Sequence, residues 1–238
     1  MAGTTFNAVA ATGIVTRAST GHVVLGTCTS YVRPDFALTA AHCVDNIPAD
    51  DIHVFFFSRG GQMKTVDSLT AHGNADLCAL KLHPGPNDDL SGHPSNAFWN
   101  CVSPGLGEDF MMFGYPVEGY PAVGPFLAQE SARLIKGHYQ RFSQFGVPGG
   151  YQFLAGEMNT PALPGMSGGP LFRPQAHPIL TGIVAGTVEK TVTAYSHTEV
   201  KNGIETYSEK VDRITAYGIA LILEPLKSWL DQEIALIR

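Results

Sequence analysis

Three short segments of the chain carry, in order, a histidine, an acid and a serine. His42 lies in LTAAHCV, Asp76 in NADLCALKL and Ser167 in PGMSGGPL. A serine hydroxyl is a weak nucleophile near neutral pH and needs an adjacent base to accept its proton. Histidine, with an ordinary pKa of about 6.5, can accept and return that proton, and a carboxylate can fix its tautomer. The three residues are therefore candidates for nucleophilic attack on a carbonyl.

The serine segment also predicts a binding site for the oxyanion that such an attack produces. Glycines on both sides of Ser167 allow a sharp turn that no side chain obstructs. In that turn the backbone N–H groups of Gly165 and Ser167 can converge on one point. Two converging donors are the arrangement that stabilises an oxyanion.

The composition excludes several other classes of protein. The 238 residues include 26 Gly and 16 Pro, and only 15% are charged, which favours many short strands over long helices or disorder. Lys and Arg number 15 against 21 Asp and Glu, and no basic run occurs, so no nucleic-acid partner is expected. No apolar run approaches the ~20 residues of a membrane span, and no metal or cofactor motif is present.

The order of the predicted elements divides the chain into two β-rich parts. Short strand-like segments precede residue 83 and follow residue 110. Residues 84–109, with many Pro, Gly, Asn, Asp and Ser, are predicted to connect the two parts. Residues 225–238 have apolar residues at helical spacing and predict the one convincing helix, which Pro225 suits as a first position. Many strands and one terminal helix indicate β-barrels or a β-sandwich.

The segments TAAHC and GxSGGP resemble those of trypsin- and chymotrypsin-like serine proteases, and ADLCALKL resembles the strand that carries the family's acid. The resemblance extends to LTGIVAG at 180–186, like the substrate-binding strand, and to YGIALILEPLKSWL at 217–230, like the last strand and helix. It implies an all-β chymotrypsin-like fold of two six-stranded antiparallel β-barrels with a C-terminal helix. Residues 1–83 would form the barrel with His42 and Asp76, and 110–238 the barrel with Ser167.

The activity implied by this resemblance is that of a serine endopeptidase acting on a protein or peptide through an acyl-enzyme. His42, Asp76 and Ser167 would form the triad, and Gly165 and Ser167 the oxyanion hole. A catalytically inactive, protease-like binding module is the first alternative. An esterase of the α/β-hydrolase type is the second, because GMSGG also fits G-x-S-x-G, but that fold needs the acid and the histidine after the serine.

Two departures from the motifs of the digestive enzymes indicate a branch of the family without zymogen activation. Met166 stands where digestive enzymes have an aspartate, and no IVGG start occurs at a suitable distance from Cys28. The chain is therefore more similar to bacterial HtrA-type or viral proteases. Met166 is expected to pack inward and to anchor the serine turn by apolar contact.

The resemblance also implies where substrate side chains bind. Pro161 lies six residues before Ser167, where trypsin-like enzymes place an acid, and no acid occupies residues 160–163. A small or apolar residue before the cleaved bond is therefore expected rather than Lys or Arg. The predicted substrate-binding residues are Pro161, Ala162, Ala185, Gly186, Thr187 and Gly218.

Residues 192–211 form a predicted hairpin that most of the family does not need. Asn202-Gly203, the strongest hairpin dipeptide, separates its two strands. The hairpin is either a solvated decoration or a surface beside the cleft for a substrate or a regulatory partner.

The cysteines and the N-terminal residues give expectations about the cellular compartment of the protein. The resemblance implies a Cys28–Cys43 disulfide beside the histidine, which a reducing compartment would leave as two thiols. A Cys78–Cys101 bridge is also left open. Residues 1–11 have no signal-peptide pattern, so an intracellular location is the default expectation, and a secreted one if a targeting segment was removed.

Overall fold

A computed structural model describes residues 8–57, 61–85, 88, 97–117, 132–146, 150–174, 179–202 and 204–237. Within them, twelve strands form two closed six-stranded barrels. The strands are β1 Thr12–Arg17, β2 Val23–Ser30, β3 Phe36–Thr39, β4 Ile52–Phe56, β5 Gln62–Ala71, β6 Cys78–Leu82, β7 Asp109–Gly114, β8 Arg133–Gly146, β9 Gln152–Met158, β10 Pro170–Phe172, β11 Leu180–Lys201 and β12 Ile204–Ile222.

The first barrel has the strand order β1-β2-β3-β6-β5-β4 and closes where β1 pairs with β4. The second has the order β10-β11-β12-β9-β8-β7 and closes where β7 pairs with β10. All pairings between named strands are antiparallel. The predicted fold class is confirmed. The α/β-hydrolase alternative is wrong, because that fold is built on a mostly parallel sheet.

The two barrels are joined by a segment that lies partly outside the described residues. The first barrel ends with β6 at Leu82 and the second begins with β7 at Asp109. Of the predicted linker, 84–109, residues 86–87 and 89–96 are not described. The predicted domain boundaries at 83 and 110 therefore remain a prediction.

The C-terminal helix packs back onto the first barrel. A 3₁₀ turn at Glu224–Leu226 leads into helix α1, Lys227–Ala235. The α-helix is shorter than the predicted 225–238, because its first residues take up the 3₁₀ turn. Leu230 is fully buried, and the Trp229 ring meets the His72 ring edge-on at 5.1 Å. Among the described residues, no helix is long and apolar enough to cross a membrane.

The predicted 192–211 hairpin is the outer end of two much longer strands. Strands β11 and β12 pair continuously from Gly182↔Ile222 to Lys201↔Ile204. No proline interrupts either strand, so the ladder continues well beyond the barrel wall. At the tip Asn202 has a φ of +55°, which suits a two-residue hairpin turn; Gly203 lies outside the described residues.

The Cys28–Cys43 disulfide implied by the family resemblance is not formed in the structure. Cys28, Cys43, Cys78 and Cys101 are all buried free thiols, so the Cys78–Cys101 bridge is absent as well. A Cβ added to Gly26 would lie 2.6 Å from Cys43 Sγ, so Gly26 is the position of β2 that faces this sulfur. Cys28 is two residues further along, about 7 Å at the rise of a strand. Disulfides need Cβ atoms about 4 Å apart.

Because the four cysteines are thiols, a reducing agent should leave the stability unchanged. We expect the Tm to shift by less than about 1 °C when dithiothreitol is added, as measured by calorimetry. A disulfide closing this loop would contribute about 3 kcal/mol, and its reduction would lower the Tm by roughly 10 °C. A decrease of that size would contradict the assignment of free thiols.

Candidate active site

His42 reaches the cleft from a turn directly after β3. The strand ends at Thr39, and a 3₁₀ turn at Ala41–Cys43 follows. Ala41 and Cys43 point into the core of the first barrel, whereas the His42 side chain is 45% exposed. The buried neighbours therefore anchor the turn while the imidazole remains accessible.

Asp76 holds His42 with both of its carboxylate oxygens. Oδ1 accepts a hydrogen bond from the His42 backbone N–H at 3.0 Å, and Oδ2 lies 2.7 Å from His42 Nδ1. An ionised carboxylate can only accept, so the proton of this bond is on Nδ1, and in the neutral ring Nε2 keeps its lone pair. The Asp76 side chain is only 8% exposed, which shields the bond from water. The arrangement gives His42 a free basic nitrogen.

The same contact changes the acidity of the imidazole. The hydrogen bond to Asp76 raises the pKa of His42 above its usual 6.5, and the neighbouring Cys43 sulfur adds to the increase. Burial acts in the opposite direction, but its effect on this pKa is smaller. The protonated form of His42 is therefore stabilised by its contact with Asp76.

The Asp76 loop is organised by a residue that sequence reasoning missed. His72 Nδ1 accepts hydrogen bonds from the backbone N–H groups of Ala75 at 2.9 Å and Asn74 at 3.2 Å. The backbone N–H of His72 donates to the carbonyl of Leu77 at 2.8 Å. Burial lowers the pKa of His72, which keeps the ring neutral and able to accept. No motif marks this histidine, because its role depends on how the loop folds.

Ser167 is the second residue of the second of two consecutive tight turns, which share Met166. Met166 N–H donates to Leu163 O at 3.0 Å, and Gly169 N–H donates to Met166 O at 2.9 Å. The third residues of these turns are Gly165 and Gly168, with φ of +88° and +84°. Type II turns require a positive φ at that position, which only glycine adopts without strain. The sequence PGMSGG therefore encodes this loop locally.

Strand β2 of the first barrel fixes the carbonyls of the serine turn. The Thr27 N–H donates to Ser167 O at 2.8 Å, and Thr27 Oγ1 donates to Gly165 O at 2.8 Å. Thr29 Oγ1 donates to Gly168 O at 3.0 Å. Three carbonyls of the turn are thus directed toward β2. We refer to these three bonds as the β2 clamp.

The β2 clamp leaves two N–H groups of the turn available. Within the part of the chain that the structure describes, neither the Gly165 nor the Ser167 N–H donates a hydrogen bond. Met166 between them is fully buried, and its Cγ lies 3.1 Å from where a Cβ of Gly114 would be. The expectation that Met166 packs inward is confirmed.

Two adjoining cavities flank these groups. The first, of about 370 Å³, contains His42 and Asp76, and the second, of about 410 Å³, contains Ser167. Gly186 and Thr187 line both cavities. The first is also lined by Phe145, Gly150, Tyr151, Phe153, Ala185, Val188 and Ile219. Its aromatic residues were not predicted, because they come from β8, β9 and the segment between them.

The second cavity contains several of the predicted substrate-binding residues. Pro161, Ala162, Gly186 and Thr187 line it, whereas Ala185 lines the first cavity. The Thr187 hydroxyl donates to Ala162 O at 2.7 Å, which ties two walls together.

Gly218 and Glu189 have different relations to this cavity. Gly218 does not line it but packs behind the wall, where an added Cβ would lie 3.3 Å from Ala162 N. Glu189, an exposed residue of β11, is part of the lining. Residues 160–163 contain no acid, and this carboxylate comes instead from β11, which continues past the cleft.

The comparison with solved structures identifies the same fold. The chain is similar to the inactive form of Rv3671c from M. tuberculosis H37Rv, a serine-to-alanine mutant, with a TM-score of 0.60 and 14% identity over 97% of this chain and 90% of that one. It is similar to the MamO protease domain from Magnetospirillum magneticum, with a TM-score of 0.62 and 15% identity over 93% and 96% of the two chains.

A third similar structure is the HtrA-type protease AlgW with a tripeptide, with a TM-score of 0.61 and 16% identity over 95% of this chain and 60% of that one. No curated protein matches the chain. A sequence model of the family described as trypsin-like peptidase domain matches residues 20–183. That match covers more than half of the chain and includes His42, Asp76 and Ser167. The chain belongs to the trypsin-like peptidase domain family.

Proposed function

We propose that the chain is a serine endopeptidase that hydrolyses peptide bonds through an acyl-enzyme, with His42, Asp76 and Ser167 as its triad. The observation that carries the proposal is the 2.7 Å bond between Asp76 Oδ2 and His42 Nδ1. It leaves Nε2 as a base on the side of the imidazole away from Asp76. The cavity with Ser167 adjoins the cavity with His42 through Gly186 and Thr187, so base and nucleophile flank one cleft.

In the first half-reaction Ser167 Oγ attacks the substrate carbonyl while His42 Nε2 accepts the hydroxyl proton. Asp76 stabilises the imidazolium that forms. The Gly165 and Ser167 N–H groups stabilise the oxyanion. Collapse of this intermediate breaks the C–N bond, and His42 donates its proton to the leaving amine. In the second half-reaction water repeats these steps and releases the acid.

The substrate is proposed to be a peptide segment in extended conformation. The similar AlgW structures contain a tripeptide and a decapeptide. In this chain Ala185, Gly186, Thr187 and Val188 of β11 line the cavity beside His42, so a strand edge is available to an extended backbone. The inactive binding module is less well supported, because a pure binder has no chemical need for the Asp76–His42 bond and the available donors at Gly165 and Ser167.

The nucleophile assignment predicts selective covalent labelling at one residue. An organofluorophosphonate probe should label the wild-type chain, and Ser167→Ala should abolish labelling because the attacking oxygen is lost. The variant should retain the wild-type Tm, since a single hydroxyl is removed. Intact-mass spectrometry gives the readout. Labelling that persists in the variant would place the nucleophile elsewhere.

The Asp76–His42 bond predicts a specific pH profile. Activity requires neutral His42, and Asp76 raises the pKa of that group, so the acidic limb should lie above pH 6.5. Asp76→Asn should lower kcat by about 10⁴ and move the limb to lower pH, because the raising interaction is lost. The measurement is kcat/KM against pH for both chains. An unchanged limb would show that another group sets the pKa.

Breaking the β2 clamp should lower kcat and leave substrate binding nearly unchanged. Thr27→Val leaves Gly165 O and the Tyr115 N–H, which donates to Thr27 Oγ1 at 3.2 Å, without a partner. We expect kcat to fall about tenfold with KM nearly unchanged, because the oxyanion contact exists only in the transition state. Thr27→Ser restores the hydroxyl and should restore kcat. Equal kcat values for the Val and Ser variants would contradict the role of the hydroxyl.

The walls of the second cavity predict the residue preferred before the cleaved bond. Pro161, Ala162, Gly186 and Thr187 present small or apolar surface, and Glu189 is exposed. An exposed ion pair between Glu189 and a substrate Lys would contribute little to binding, whereas burying the Lys ammonium without a partner against the other walls costs several kcal/mol. Peptides with Ala or Val at this position should be cleaved at least about tenfold faster than those with Lys, by kcat/KM.

The matched variant for this preference is Glu189→Gln, which should change the ratio of Ala to Lys cleavage less than about threefold. A wild-type preference for Lys that disappears in Glu189→Gln would show that the carboxylate determines specificity.

A further inference from the structure

Strand β11 has a long edge that is not paired within the described residues. Along this edge β11 pairs with β10 only from Leu180, which lies opposite Phe172, to Ile183, which lies opposite Pro170. The serine turn then forms hydrogen bonds with the backbone of Val184. From Ala185 outward its described pairings are with β12 alone, on the opposite edge. An open edge presents backbone N–H and C=O groups to which another strand can add. We call residues 189–201 and 207–216 the outer ribbon.

One face of the outer ribbon carries its aromatic residues with Val192 and Val211, and the charged Glu209 and Arg213 lie on that face as well. The Tyr195 and His197 rings stack with centroids 6.3 Å apart, and the His197 and Tyr207 rings are also 6.3 Å apart. Val211 is the cross-strand partner of Tyr195 and therefore shares their face. The register shift between Thr193 and Tyr195 brings Val192 onto the same face, because a bulge inserts one extra residue.

The opposite face of the outer ribbon is polar. There Thr193 Oγ1 donates to Asp212 Oδ1 at 2.9 Å, and Ile214 is an isolated apolar side chain. Apolar side chains on one side of a strand are normally buried. Here the aromatic face remains about half exposed: Val192 52%, Tyr195 49%, Tyr207 50% and Val211 47%.

The aromatic face leads directly into the candidate active site. Going inward along the same side of the ribbon, Lys190 lies over the Tyr217 ring at 5.8 Å, and Val188, the partner of Tyr217, lines the cavity of His42. The open edge of β11 and the face that carries the aromatic residues thus begin beside the imidazole and continue outward. A chain already seated in the cleft can therefore extend along both without a break.

We propose that the outer ribbon is an extended substrate-binding surface, and this inference rests on the proposed peptidase function. The occupant is an unfolded polypeptide segment that adds to the edge of β11 as a third strand. Its backbone pairs with β11, and every second side chain packs on the aromatic face because strand side chains alternate. The substrate class is therefore extended polypeptide with apolar residues at alternate positions.

The direction of β11 decides which part of the substrate binds. The strand runs outward from the serine turn at Val184 toward Lys201. Antiparallel pairs outnumber parallel ones two- to three-fold. An antiparallel substrate would run inward to the cleft, so the residues N-terminal to the cleaved bond occupy the ribbon.

The test measures peptide binding separately from hydrolysis. Full chains carrying Ser167→Ala are titrated by fluorescence anisotropy with labelled peptides of four residues ending at the cleaved bond, and of ten residues with alternating Val and Thr added on the N-terminal side. The longer peptide should bind at least about tenfold more tightly. The same extension placed on the C-terminal side should add less than about twofold.

Two surface variants distinguish the faces of the ribbon. Tyr195→Ser with Val211→Ser removes a cross-strand pair from the aromatic face and should abolish the gain from length. Ile214→Ser removes an apolar side chain that is 68% exposed on the polar face and should leave the gain intact. N-methylation of alternate amides on the edge-facing side of the ten-residue peptide should also abolish the gain, because it blocks backbone pairing.

The outcomes separate this inference from the function on which it rests. Equal affinities for the short and long peptides, or an equal loss in Ile214→Ser, would overturn the extended surface. The same two sequences carrying a C-terminal amide-linked reporter at the cleaved bond supply a hydrolysable bond, and release of the reporter from the short one by the wild-type chain tests the peptidase activity on its own. A length gain in binding with no release of reporter from either sequence would retain the ribbon and reject the proposed function.

Discussion

The contact between β2 of the first barrel and the serine turn of the second is the interaction on which the rest of the site depends. Thr27 and Thr29 donate three hydrogen bonds to carbonyl groups of the turn, those of Gly165, Ser167 and Gly168. The same strand pairs with β3, which leads into the His42 turn. One strand therefore positions His42 and Ser167 relative to each other, although they belong to different barrels.

The sequence predicts those parts of the site that are encoded locally. Type II turns with glycine in the third position follow from PGMSGG alone, and the buried position of Met166 follows from its apolar side chain. The terminal helix was predicted from the helical spacing of its apolar residues, and the two closed barrels were predicted through the resemblance of short motifs. The partnership of Asp76 with His42 was expected from the same motifs, and the structure places the two in direct contact.

The features that could not be predicted depend on packing between distant segments. His72 organises the Asp76 loop only because the loop folds over its ring. Glu189 lines the second cavity because β11 continues past the cleft, whereas the Asn202-Gly203 dipeptide predicted only a hairpin over 192–211. The spacing of Cys28 and Cys43 resembles a disulfide pair, but the residue of β2 that faces Cys43 is Gly26. Spacing along the chain does not determine which side chains face each other.

Hydrogen exchange of the Thr27 amide measures whether the β2 clamp holds the serine turn rigidly to the first barrel. This N–H donates across the barrels to Ser167 O. If the clamp holds, the amide should exchange only through global unfolding, with the same opening free energy as the buried β3 residue Leu38. Exchange of Thr27 that is orders of magnitude faster than that of Leu38 would show that the barrels separate locally, and would contradict the account.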